Sequence, residues 1–305
     1  MFKSSCLIKK SVYRILALSL YCCLSMQAYA KPDIQPLGEN IADQGSQFYQ
    51  FQIKEFQSED KNRTYRVWLG IPKNKQSVQA LPSVFMLDGN SVMDRLNEPF
   101  LKHLNKSSSP VLVAIGYKSN LPFETKSRSL DYTPADESGK PKADPRNPER
   151  LSGGSQAFRV LIATQIMPWV EAQVKLDPSR KVLWGHSYGG LFVLDSLLHG
   201  HDFSHYIAAS PSLSWANKRI LNIQEKTPSD LVRNKNLMIM EGDIPTHNVK
   251  HLSPNIDKEM INNNRKLVSD LQKKGVNVRL MIYPNLSHGE VFQVSMLDTL
   301  SNQLF

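Results

Sequence analysis

The chain has 305 residues, with 37 Lys and Arg against 28 Asp and Glu and a formal charge of +9. No Lys/Arg block is interleaved with aromatics, which argues against a nucleic-acid partner, and there is no internal repeat or low-complexity tract. All three cysteines, Cys6, Cys22 and Cys23, fall in the first thirty residues, so a chain without that segment has neither disulfides nor thiol chemistry.

Residues 1–30 read as a signal peptide. Lys3, Lys9, Lys10 and Arg14 make a basic start, Ile15 to Met26 is apolar, and Ala28-Tyr29-Ala30 is a small-x-small cleavage pattern. The apolar segment is short for a membrane span. The alternative is an uncleaved inner-membrane anchor. Losing four basic residues and no acidic one lowers the charge from +9 to +5, a mild bias toward anionic substrates or surfaces. Residues 31–305 are then expected to form one domain in the periplasm.

Phe48 to Glu55 alternates as a strand, and Arg63 to Ile71 completes an antiparallel hairpin with it. Pro82 to Leu87 is a more buried strand. Ser91 to Leu104 has helical spacing, and Pro110 to Tyr117 is a continuous apolar strand of the parallel-sheet kind. Lys118 to Ser152 shows no period, and a loop of that length should cover a site. The alternative for Ala135 to Arg150 is a disordered insertion. Helix runs from about Gly154 toward Lys175, with a kink expected at Pro168. Lys181 to Trp184, His205 to Ala209, Leu237 to Met240 and Val276 to Tyr283 are strands. Between them lie an irregular helical stretch, Trp215 to Val232, and a helix from Pro254 to Lys274 ended by Gly275; a last helix covers Glu290 to Leu300. Strands alternating with helices predict an α/β fold with a mostly parallel sheet, helices on both faces and ligands at the carboxyl ends of the strands.

The chemistry concentrates at Gly185-His186-Ser187-Tyr188-Gly189-Gly190, between the strand ending at Trp184 and the apolar start of a helix at Leu191. This G-x-S-x-G-G in a strand–turn–helix context is a nucleophile elbow, which projects Ser187 Oγ from the sheet edge. A serine needs a base, and in this fold the histidine comes last in the chain. His288, in Pro284-Asn285-Leu286-Ser287-His288-Gly289-Glu290 after the last strand, meets that requirement. An orienting acid would follow Leu237 to Met240, where Glu241 and Asp243 stand, and neither is forced. The oxyanion hole is expected from the backbone N–H groups of Tyr188 and Asn90, with Gly89 permitting the approach. Of the other histidines, His186 is expected to pack against the helix beneath. His199, His201 and His205 read as solvated rather than metal-binding, His103 and His251 as surface positions, and His247 is open to a place in the cleft. No metal or cofactor is called for.

The elbow GHSYGGLFVLDS, the block PNLSHG, the segment FMLDGNSVMDRL and the loop piece NLPFETKSRSLDYTPA together resemble the enterochelin-esterase-like family of α/β hydrolases, on the side of its periplasmic enterobactin and salmochelin esterases. The resemblance runs from about Tyr49 to the end. It implies an α/β-hydrolase fold, a serine–histidine pair working without an obligatory acid, no catalytic metal, and a catecholate trilactone or its linear fragments as substrate. It places an arginine at Arg128 to bind catecholate oxygens, and Trp215 joins it as a candidate substrate-binding residue. Asp243, where a small uncharged residue is the pattern, leaves a true triad open. The alternatives are a general carboxylesterase or acyltransferase of the same fold, and a non-catalytic periplasmic siderophore binder.

Overall fold

Two N-terminal strands, β1 (Tyr49–Gln57) and β2 (Thr64–Pro72), pair as an antiparallel hairpin across every residue from Tyr49↔Pro72 to Gln57↔Thr64. The main sheet continues with β3 (Leu81–Met86) and β4 (Val111–Tyr117); β5 (Lys142–Asp144) and β6 (Asn147–Ser152) form a separate small hairpin. The main sheet then takes up β7 (Leu176–His186), β8 (His205–Ala209), β9 (Asn236–Ile244) and β10 (Asn277–Ser287). Its order is β1-β2-β4-β3-β7-β8-β9-β10. β2 runs antiparallel to β1 and β4, and all other neighbours are parallel. This is the α/β-hydrolase fold. The computed structural model describes residues 35–75, 79–107, 109–200, 202–244 and 254–301. The expected signal peptide, His201, His247 and His251 lie outside the described residues.

Every residue of β3 and β4 is buried, because both faces of a parallel sheet are covered. Side chains alternate between two cores. Val84, Met86, Leu112, Ala114, Val182 and Trp184 meet Val92, Leu101, Phe292 and Met296 of the helices Gly89–Arg95, Glu98–Lys106 and Val291–Ser301. Phe85, Leu87, Val113, Ile115 and Leu183 meet Phe158, Val170, Leu191, Phe192 and Ile220 of Ser155–Leu161, Met167–Gln173, Tyr188–His199 and Trp215–Lys226. The strand ends, with the connecting loops, therefore converge on one edge where chemistry can be assembled.

Several expected elements differ. The single helix over Ser91 to Leu104 is two, broken at Leu96 and Asn97: Asn97 Oδ1 accepts from Phe100 N at 3.0 Å, and Pro99 sits in the new first turn. The stretch Lys118 to Ser152 is not structureless. It holds the helix Thr125–Asp131 and the β5–β6 hairpin. The helix after Gly154 changes to a π-turn over Ile162–Ile166 directly before Pro168, which accommodates the proline by widening the preceding turn. β10 extends past Tyr283 to Ser287 through a register shift.

Candidate active site

Ser187 follows β7 and caps the helix Tyr188–His199, with φ 59° and ψ −113°. A side-chain-bearing residue there costs about 1–3 kcal/mol, so neighbouring structure must impose it. Ser187 N donates to Ala209 O at 2.9 Å, while its carbonyl accepts from Leu191 N at 3.0 Å and Ser212 N at 3.2 Å. Glycines let the segments meet. A Cβ on Gly185 would stand 2.6 Å from the Gly189 backbone, and one on Gly190 would stand 2.8 Å from Ala209 O. Tyr188 N opens the helix, with no intrahelical acceptor and the positive end of the helix dipole behind it.

The histidine arm is built differently. β10 follows β9 as far as Tyr283↔Gly242, then slips before Ser287↔Ile244. Within the slip Asn285 has φ 60°, and its N–H donates to Asp243 Oδ1 at 2.6 Å. A Cβ on Gly242 would overlap the Leu286 carbonyl oxygen. Ser287 N and Oγ donate to Glu290 Oε2 at 2.8 and 2.5 Å, closing the turn. His288 leaves this turn with Nε2 3.1 Å from Ser187 Oγ. Burial, then the cations Arg146 and Arg128, push its imidazole down to about 4. At neutral pH it is uncharged, with Nε2 free to accept the serine proton.

His186 does more than pack. Its ring lies 4.8 Å from the His288 ring and 5.5 Å from Phe292, and Nε2–H donates to the His288 carbonyl at 2.7 Å. Burial holds His186 well below its ordinary range, so it stays a neutral donor. His199 is not simply solvated either: it pairs with Asp195 at 3.1 Å. His103 is exposed, and His205 is half-buried beside Ser204.

Neither expected acid reaches His288. Glu241 is buried and accepts from Ser210 Oγ at 2.7 Å and Asn264 Nδ2 at 3.1 Å, with burial raising its carboxyl. It braces the turn that carries Ser212. Asp243 is spent on Asn285 N. Among the described residues no carboxylate meets the His288 ring. Asn90 is also a brace. Its amide donates to Tyr117 O and Ser119 O and accepts from Tyr117 N, while its backbone nitrogen lies against Gly116 of β4. The parts of that loop bordering the elbow are Asp88, whose carboxylate a Cβ on Gly189 would meet at 3.7 Å, and Leu87, whose N donates to Trp184 O at 3.1 Å and whose side chain a Cβ on Gly185 would meet at 2.9 Å.

The Esterase family model matches residues 58–302. The chain belongs to this family. The apo-salmochelin esterase of Escherichia coli O6:H1 (strain CFT073) is 43% identical over 298 residues, spanning 96% of this chain and 90% of that protein. The ferri-bacillibactin esterase BesA of Bacillus subtilis (strain 168) is 29% identical over 220 residues, 67% of this chain and 74% of that one. The solved complex of the enterobactin hydrolase IroE with DFP superposes with a TM-score of 0.72 at 39% identity, covering 86% of this chain and 99% of that chain.

In this esterase the two expected substrate-binding residues are otherwise engaged. Trp215 is 1% exposed, and its Nε1–H donates to Asp144 at 3.2 Å. Arg128 makes two bonds of 2.8 Å to Asp88, which sits at φ 53° after β3, and its guanidinium lies over Tyr132 and Tyr188. Arg146, at the β5–β6 turn, is the residue that sequence reasoning missed. Its guanidinium donates to Ser214 Oγ at 3.0 Å and Ser212 Oγ at 3.5 Å, and Ser212 Oγ is 3.3 Å from Ser187 Oγ. The Asp-Pro-Arg-Asn turn at 144–147 was its only signal, inside a stretch with no period.

Proposed function

We propose that this esterase cleaves the ester bonds of a catecholate trilactone siderophore of the enterobactin or salmochelin type, and of its linear fragments, through an acyl-Ser187 intermediate. It acts in the periplasm, after removal of the presequence. The observation that carries the reading is the 3.1 Å approach of His288 Nε2 to Ser187 Oγ at a strained elbow. The relatives named for apo-salmochelin and enterobactin supply the substrate class.

Ser187 Oγ attacks the ester carbonyl while its proton passes to His288 Nε2. The tetrahedral oxyanion sits at the start of the elbow helix, where Tyr188 N–H is one donor, and each such donor lowers the barrier by on the order of 3 kcal/mol. Collapse breaks the ester C–O bond, and the departing serine hydroxyl takes the proton from His288. Water then repeats the sequence, with His288 first as base and then as acid. Among the described residues the geometry offers no acid to the imidazole, so His186 and the 287–290 turn carry its orientation.

The test compares turnover of a catechol trilactone with turnover of p-nitrophenyl esters, alongside fluorophosphonate labelling of Ser187. A clear preference in kcat/KM for the trilactone is expected. Equal or better turnover of simple esters would leave a general carboxylesterase, and an unlabelled Ser187 in folded protein would leave a siderophore binder.

A further inference from the structure

Two arginines flank Tyr188, each with its guanidinium carbon 5.6 Å from the ring centroid. They differ in what remains of their charge. Arg128 is 13% exposed, and its fork is matched by the Asp88 carboxylate, itself 1% exposed. Arg146 is exposed, and beside the Tyr188 ring its guanidinium meets the hydroxyls of Ser212 and Ser214. Among the described residues it has no carboxylate within ion-pair distance. It is one hydroxyl away from the nucleophile and carries an uncompensated charge.

Its position is fixed by Asp144. That carboxylate is 1% exposed and accepts from Arg146 N at 2.8 Å, Tyr188 Oη at 3.1 Å, Trp215 Nε1 at 3.2 Å and the Ser129 hydroxyl. Burial opposes its ionisation, yet these donors hold it below the usual carboxylate range. The hairpin is thereby tied to the elbow helix, to Thr125–Asp131 and to Trp215–Lys226. A buried group with four donors is a costly arrangement for a surface loop that does nothing but cover.

Resting on the siderophore-ester reading, we propose that Arg146 selects acyl groups carrying a negative charge beside the reacting carbonyl, and that this charge of the substrate does for His288 what a triad acid would. When His288 takes the Ser187 proton it becomes an imidazolium. The groups facing it are His186 from β7, Arg128 with its Asp88, and Arg146; Glu290 of its own turn accepts from Ser287, and Arg95 stands behind over Phe292 at 4.9 Å. Among the described residues, the Arg146 guanidinium thus faces the imidazolium with no carboxylate paired to it, whereas Arg128 is matched by Asp88. A catecholate or carboxylate oxygen bound to Arg146 cancels that field at the step where the imidazolium forms, and a neutral acyl group does not. The preference therefore enters through kcat and not through binding alone.

The experiment uses p-nitrophenyl hemisuccinate and its methyl ester, which share a leaving group and differ by one charge on the acyl side, with the intact protein, Arg146→Gln and Arg146→Lys. The kcat ratio, anionic over neutral, is expected to fall about 10- to 100-fold in Arg146→Gln and to be partly kept by Arg146→Lys. Fluorophosphonate labelling of Ser187 confirms that each variant is folded. An unchanged ratio in Arg146→Gln, or a preference confined to KM, overturns the role of Arg146. A changed ratio together with no turnover of a dihydroxybenzoyl-serine ester by the intact protein would reject the siderophore substrate and leave the charge reading standing.

Discussion

The two loops that bring the reacting atoms together are held by different physics. The Ser187 loop is positioned mainly by exclusion: Gly185 and Gly190 stand where backbone leaves no room for a Cβ, and Ser187 is forced to φ 59°. The His288 loop is positioned mainly by polar contacts: Asp243 on Asn285 N, Glu290 on Ser287, and His186 on the His288 carbonyl. It shares only one steric device with the first, the close pass of Gly242 under Leu286. A steric corner admits few residues and reads as a motif. A polar clamp can be assembled from scattered residues and leaves no fixed spacing.

The contrast can be broken most severely at the nucleophile. Ser187→Ala should lower kcat by about 10⁴-fold or more while leaving the thermal midpoint near that of the parent, read by ester turnover and a melting curve. Next comes the steric device of the histidine arm. Gly242→Ala must push the Leu286 carbonyl and carry His288 with it. The expected loss is about 100-fold in kcat, of the size produced by ångström-scale misplacement, with phosphonate labelling of Ser187 slowed in parallel.

The polar clamp should yield smaller effects. His186→Leu strands the His288 carbonyl at a cost of about 1–3 kcal/mol in stability, and about tenfold in kcat with KM little changed is expected as the imidazole loosens. The pH profile sharpens the same comparison. His288 lies far below its ordinary 6.5, at about 4, because burial and two arginines disfavour the imidazolium. On the proposed mechanism neutral imidazole is the base, so a lowered value extends activity downward. For a neutral ester, kcat/KM should stay level below pH 6.5 and fall only as pH approaches 4; an acid limb centred at 6.5 or above would show that neither burial nor the arginines disfavour the imidazolium.

The sequence made the sheet, the elbow and the histidine beside it legible because each obeys a short-range rule: alternation in strands, glycines around a strained corner, a histidine after the last strand. It could not show a side chain's partner where that partner is remote in the chain. Trp215 and Arg128 looked available because Asp144 and Asp88, which hold them, lie 71 and 40 positions away. Glu241 and Asp243 stood where an acid was wanted, and Ser210, Asn264 and Asn285 claimed them. Arg146 was hidden because a hairpin of three and six residues has too little length to show a period.

The dyad without an acid is tested most directly by kcat on one neutral ester for His288→Ala and for the double variant Glu241→Gln/Asp243→Asn. His288→Ala should lose about 10³- to 10⁴-fold, while the double variant should stay within about tenfold of the parent, since loss of a true triad acid costs about 10⁴. A double variant that falls as far as His288→Ala would contradict the dyad.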